Sequence, residues 1–158
     1  THEDSMGSRA TLRPGIVQRM SAGTGIMHSE MNDSDAPCHL YQTWIMPDGA
    51  GHQPRYEDRP FDLAARRDRL RLIVSPDGRD GSLDVHQDVS IYDAALGSGV
   101  EVAHALADGR HAWIQVAAGS VHVNGETLEA GDAAAVSDEA ALSIAAIDDA
   151  EFLLFDLA

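Results

Sequence analysis

The residues with the clearest potential for chemistry are a histidine and a glutamate two positions apart, His28 and Glu30, within the glycine-containing segment 20–32. If this segment is a strand, alternate side chains point to one face, so the imidazole and the carboxylate project together. That pair forms half of a first-row transition-metal site. No second pair of donors is evident, so the residues alone leave open whether His28 is a ligand or a hydrogen-bonded strand histidine.

The elements that position this pair are predicted to be short strands, because β-branched and alternating runs recur between Gly, Asp and Pro. Asn124-Gly125 is typical of a tight hairpin turn between two strands. One or two turns of helix are expected in residues 61–70. The pattern therefore predicts a β-sandwich or barrel. Strands are expected over residues 15–20, 26–31, 39–46, 70–75, 83–93, 99–106, 112–117, 121–128, 133–136, 141–147 and 151–157, the last buried on both faces.

Composition excludes several classes of function. The 158 residues carry 26 Asp and Glu against 11 basic residues, all Arg, for a net charge of −15. A surface this acidic repels phosphate backbones, so direct binding to nucleic acid is not expected. No run of eighteen apolar residues occurs, so no transmembrane helix is expected. The first residues also lack the basic-then-apolar pattern that predicts a signal peptide. The single cysteine, Cys38, suits a reducing cytoplasm. The Arg-for-Lys bias is typical of a GC-rich bacterial genome.

The segment 20–32 resembles the second cupin motif as pirins carry it, with a glycine turn, the metal-binding histidine and, four residues on, Asn32. Other stretches also resemble pirins, and together they extend over nearly the whole chain. The sequence is therefore identified as similar to the pirin family. These further stretches are residues 3–7, 39–47, 54–56, 75–83, 85–88 and 153–157.

This resemblance implies an all-β bicupin, in which two double-stranded β-helix barrels pack together. It also implies one divalent metal in the N-terminal barrel, held by three histidines and one glutamate, with iron as the first choice and nickel, copper, manganese or zinc as alternatives. His28 and Glu30 match two of these ligands, and Glu30 is also the expected catalytic base. The other two come from a His-Pro-His motif that these 158 residues lack.

Since that motif lies upstream of the stretch matching residues 3–7, we expect an incomplete N-terminal barrel. Residues 1–46 would be the C-terminal half of the metal-binding cupin, 47–62 a linker, and 63–158 a C-terminal cupin without a metal site. Two ligands would then be missing, with activity lost or impaired, and open sheet edges would favour self-association. His2 and His39 are the best substitute ligands, and Trp44 and Trp113 are expected to pack in cores or between barrels.

Two functions follow from the resemblance. The first is a quercetin 2,3-dioxygenase-type oxidoreductase, acting in the intact protein on a flavonol and dioxygen. The second is a non-catalytic, metal-dependent cofactor that binds a protein partner and regulates it.

Overall fold

The structure, a computed structural model, describes residues 1–158 as short strands with two 3-10 turns, Leu63–Arg66 and Arg79–Gly81. The all-β prediction is therefore confirmed. The structure has no helix with the length and hydrophobicity needed to span a membrane. The strands are β1 (His2–Asp4), β2 (Arg9–Ala10), β3 (Ile16–Ser21), β4 (His28–Glu30), β5 (Arg55–Pro60), β6 (Arg71–Ser75), β7 (Leu83–Asp84), β8 (Val89–Leu96), β9 (Glu101–Ala105), β10 (His111–Ala118), β11 (Ser120–Val123), β12 (Glu126–Glu129), β13 (Ala133–Val136), β14 (Ala141–Ala146) and β15 (Ala150–Leu157).

The chain divides into two compact units. The first comprises residues 1–61 with 85–87, and the second comprises residues 62–84 with 88–158. The second unit contains a six-stranded sheet, in the order β13-β10-β15-β8-β6-β7, and a four-stranded sheet, in the order β12-β11-β14-β9. Nearly all of its strand pairs are antiparallel, as expected for short strands joined by tight turns.

Apolar side chains from both sheets of the second unit form one core. On β14 the burial alternates, so that Leu142 and Ile144 are fully buried while the residues between them face outward. The same alternation runs along β10 and β15, where Ile114 and Leu154 pair across the sheet. This period of two is what a sheet with one buried face requires. β15 was predicted to be buried on both faces, but every second residue on it is only partly buried.

Two glycine turns shape this unit. Asn124 and Gly125 have positive φ angles of 47° and 94°, and they join β11 to β12 as the sequence predicts. At Gly119 the backbone approaches so closely that a Cβ would lie 2.2 Å from the Asp149 carbonyl oxygen. Because no side chain fits there, this glycine lets β11 start close to the turn before β15.

The first unit contains two small sheets, one in the order β2-β1-β4 and the other formed by β3 and β5. Its buried side chains are mostly polar, since His2 and Arg19 are buried and Phe61 is the only buried apolar residue in it. Several large apolar residues are instead exposed, among them Trp44 at 86% and Met46 at 81%. Trp44 therefore does not pack in a core, contrary to the prediction for it.

Two sequence-based assignments in residues 39–60 were wrong. Residues 39–46 form no strand, because a run of β-forming residues also needs a hydrogen-bonded neighbour and no strand pairs with it. Residues 55–60, expected within a linker, form β5 and pair with β3 from Ile16↔Pro60 to Ser21↔Arg55. The one or two turns of helix expected in residues 61–70 form as one 3-10 turn, Leu63–Arg66, and the Asp62 side chain at its start accepts a hydrogen bond from the Ala64 amide.

The core of the second unit generates a stability prediction. Replacing Ile144, which is fully buried, with Ala should lower the free energy of unfolding by about 2–5 kcal/mol, because it removes buried methyl groups and leaves a cavity. The matched change at Ile147, 42% exposed just beyond the same strand, should cost less than about 1 kcal/mol. Urea denaturation of both variants measures the difference, and equal losses would contradict this description of the core.

Candidate functional site

The candidate site begins with the antiparallel pairing of β1 and β4. Its register sets His2 opposite Glu30 and Asp4 opposite His28. Residues directly opposite each other share a face of the sheet, and so do residues two apart on one strand. His2, Asp4, His28 and Glu30 therefore project from one face, as the sequence predicted for His28 and Glu30.

His2 lies at the centre of this group and is fully buried. Its Nε2 atom lies 3.2 Å from Asp4 Oδ2, and its Nδ1 atom lies 3.6 Å from Glu30 Oε1 without a hydrogen-bond partner. The ring of His28 stacks near it, with the ring centroids 5.9 Å apart. A buried ring nitrogen without a partner is uncommon and is a feature that functional sites tolerate.

Asp4 is held by the turn that follows β1. Its Oδ1 atom accepts hydrogen bonds from the amides of Met6, at 2.9 Å, and Ser8, at 3.0 Å. Desolvation, the largest single effect, acts to raise the pKa of Asp4, but the hydrogen bonds from Ser8, His2 and Met6 together lower it to about 2. Asp4 is therefore a carboxylate over the ordinary pH range, and it accepts a hydrogen bond from His2 Nε2.

Tyr56 and Gln18 come from the β3–β5 sheet and close the other side of the group. The Tyr56 ring stacks on His2 with a centroid distance of 4.3 Å, and its hydroxyl donates to Gln18 Oε1 at 3.3 Å. Gln18 Nε2 in turn donates to Glu30 Oε1. Burial, together with the negative charges of Asp58, Asp4 and Glu30, raises the pKa of Tyr56 to about 12. The phenol therefore stays protonated and able to donate.

A metal ion fits these residues only in part. His28 and Glu30 have the right donor chemistry and share a face, as a first-row transition metal requires. However, no group of three or more His, Cys, Asp or Glu side chains is arranged to hold an ion. One Glu30 oxygen is also occupied by Gln18. The described residues thus supply two suitable donors but do not complete a metal site.

Sequence reasoning underestimated four of these residues. His2 was considered only as a substitute ligand, and the parts played by Asp4, Tyr56 and Gln18 were not foreseen. The His-x-Asp spacing at the start of the chain was the available signal, because it places both side chains on one face of a strand.

The hollow beside β1 and β4, about 130 Å³, lies on the opposite face, where Glu3, Arg9 and Ser29 line it.

The other candidate residues lie apart from this group. His39 contacts the ring of Tyr41 at a centroid distance of 5.5 Å. Asn32 supports a turn, as expected, since it donates to the Ala36 carbonyl at 2.8 Å. In the second unit, His104 contacts Asp156 at 2.8 Å.

Comparison with known proteins decides the family. Residues 1–45 match the family model described as Pirin, and residues 72–157 match the model described as Quercetinase C-terminal cupin domain. The chain is 49% identical over 157 residues to a quercetin 2,3-dioxygenase of Escherichia coli strain K12, covering 99% of this chain and 67% of that protein. The chain belongs to the pirin family. The cupin-type fold predicted from the resemblance is thereby confirmed.

Solved structures of pirins agree with this assignment. The crystal structure of YhhW from Escherichia coli matches with a TM-score of 0.94 at 49% identity, covering 99% of this chain and 66% of that one. YhhW, described as a bacterial pirin, was also solved in complex with nickel(II), and that structure matches with a TM-score of 0.91 at 48% identity, over 99% of this chain and 66% of that one. This pirin chain spans about two thirds of the length of these relatives.

The depressed pKa of Asp4 predicts how the site responds to acid. Because the folded-state pKa is about 2 against the ordinary 3.8, the Asp4 contribution to stability is present above about pH 4 and is lost as the pH falls toward 2. Asp4→Asn should therefore lower the protection of the β1–β4 amides from hydrogen exchange at neutral pH. It should also reduce the additional loss of amide protection that the parent protein shows as the pH falls from 4 to 2.

The amides to follow are those of Ser5 and Met31, which bond to the Met27 and Thr1 carbonyl oxygens across the two strands. Glu3→Gln is the matched control, since it removes one charge from the opposite face of the same strand, where Glu3 pairs with the exposed Arg9. If the loss of amide protection between pH 4 and pH 2 became smaller in Glu3→Gln but not in Asp4→Asn, the role assigned to Asp4 would be contradicted.

Proposed function

We propose that, in the whole protein, this chain contributes to a pirin-type dioxygenase that acts on flavonols such as quercetin. The observation that carries the proposal is the shared face of His28 and Glu30, with the buried His2 between them. Support comes from relatives named quercetin 2,3-dioxygenase, one of which is 49% identical to this chain.

Glu30 is the residue that would move a proton. Its side chain is 26% exposed, so one part faces solvent, while Gln18 donates a hydrogen bond to Oε1 and His2 Nδ1 lies 3.6 Å from the same atom. A carboxylate held in this way has the reach and the acceptor atoms to take the proton of an acidic flavonol hydroxyl. Gln18 orients the carboxylate, and the Tyr56 hydroxyl orients Gln18 in turn.

His28 and Glu30 would also be two of the ligands of a divalent transition metal, for which iron is our first choice and nickel is favoured by the YhhW complex. When bound, such a metal supplies Lewis acidity toward a substrate hydroxyl. The remaining ligands would come from outside these 158 residues, since no third donor joins the pair in the structure. On this proposal the 158 residues alone bind metal weakly and turn over little or no flavonol.

A second candidate is a metal-dependent regulatory cofactor that binds a protein partner. It is favoured by the exposed apolar side chains of the first unit, above all Trp44 and Met46, at 86% and 81% exposure. Exposed apolar surface of this kind is typical of interaction sites. Oxygen uptake separates the two candidates, because a cofactor that binds metal without consuming oxygen would favour the second.

The test uses the whole protein that contains this chain. His28→Ala and Glu30→Gln should each weaken metal binding by on the order of tenfold or more, because each removes a ligand atom. Both variants should also abolish oxygen uptake with quercetin. Metal content by elemental analysis and an oxygen electrode measure the two effects.

Ser29→Ala is the matched control, because Ser29 lies between the two residues and faces the opposite side of the sheet. It should keep the metal content and oxygen uptake of the parent protein. Unchanged metal content in both site variants would contradict the proposed ligands. Full metal loading without any oxygen uptake by the parent protein would contradict the dioxygenase.

A further inference from the structure

The second unit has an open hollow of about 430 Å³ that the proposed function does not use. Three arginines, Arg69, Arg71 and Arg79, line it together with Leu70, Asp80 and Tyr92. The chain as a whole carries 26 acidic residues and only 11 arginines. The lining of the hollow contains three arginines and one aspartate, whereas acidic residues outnumber basic ones in the chain as a whole.

The fold brings these arginines together from separate segments. Arg69 follows Asp68, which turns the chain with a φ of 55°, and Arg71 is the first residue of β6. Arg79 opens the 3-10 turn that follows β6. Tyr92 lies on β8, directly opposite Leu72 of β6. The hollow is therefore built on two neighbouring strands of the six-stranded sheet, β6 and β8, and on the segments that flank β6, rather than on a single loop.

Arg79 is held in place before any ligand arrives. Its guanidinium donates to Asp77 Oδ1 at 3.1 Å and to Ser90 Oγ at 2.8 Å. Asp77 is itself fixed by the Ser75 hydroxyl at 3.0 Å. A guanidinium positioned in this way loses little conformational freedom when it binds an anion.

Arg69 provides a cation that is open to a ligand. It is exposed, and its one hydrogen bond runs from Nε to the Arg67 carbonyl oxygen at 3.5 Å. No carboxylate forms an ion pair with it, unlike Arg66, which pairs with Asp93 and Glu151. Its two terminal nitrogens are therefore free to form the forked hydrogen bonds that carboxylates accept from arginine.

We propose that this hollow binds a small aromatic carboxylate, with the acid group against the arginines and the ring against Tyr92 and Leu70. Arginines pair with carboxylates in a planar, two-bond geometry, and Tyr92 offers an aromatic wall. The volume lies within the range of about 300–1,000 Å³ usual for small-molecule sites. The inference does not depend on His28, Glu30 or the dioxygenase proposal.

The test is a titration with benzoate, followed by amide chemical shifts of the protein. Benzoate should shift the amides of residues 69–72, 79–80 and 92, with a dissociation constant in about the millimolar range for so small a ligand. Benzyl alcohol, which keeps the ring but lacks the charge, should not shift them. Raising the salt concentration should weaken benzoate binding.

Arg69→Gln should weaken benzoate binding about five- to tenfold, and its exposed position makes misfolding unexpected. Arg13→Gln is the matched control, since it removes the same charge at an exposed position in the first unit. A thermal melt checks that both variants fold.

Three results would overturn the proposal. Equal weakening in both variants would mean that benzoate responds only to net charge. Shifts spread over the surface would mean that it has no defined site. Binding of inorganic phosphate as tight as that of benzoate would mean that the apolar wall contributes nothing.

Discussion

The antiparallel register of β1 and β4 is the constraint on which the candidate site depends. It sets His2 against Glu30 and Asp4 against His28, so four side chains able to carry charge or bind metal share one face. A slip of one residue would turn each side chain to the other face of the sheet. The turn between Asp4 and Ser8 stabilises this register, because Asp4 accepts the amides of Met6 and Ser8.

The unit that holds this site is built differently from the rest of the chain. Its interior is formed by His2 and Arg19, the latter paired with Glu57 at 3.1 Å, with Phe61 as its only buried apolar side chain. Hydrogen bonds and ion pairs, rather than apolar packing, therefore set the positions of its side chains. Such networks hold side chains in defined positions when every polar group has a partner, and an unpaired buried group destabilises them. The Nδ1 atom of His2, which has no hydrogen-bond partner, is one point where this network is incomplete.

In the second unit, by contrast, apolar packing predominates over polar interactions in the interior. Its two sheets enclose a continuous apolar core, and its charged residues lie around that core in local pairs. Arg110, for example, contacts both Asp88 and Asp156. A core of this kind holds the surface side chains on rigid strands, which is what a binding site requires. Three arginines line the hollow beside Tyr92, and of these Arg79 is already paired with Asp77.

The sequence by itself determined the all-β class, most strands of the second unit and the common direction of His28 and Glu30, because each of these follows from a local period of two. It also carried the motifs by which the family was recognised. Only the tertiary structure decided that His2 is the buried centre of the site, since its contact with Glu30 joins residues that are far apart in the chain. The same reason explains residues 39–46, whose β-forming side chains predict a strand that finds no partner. Strand pairing depends on distant segments, and local patterns do not encode them.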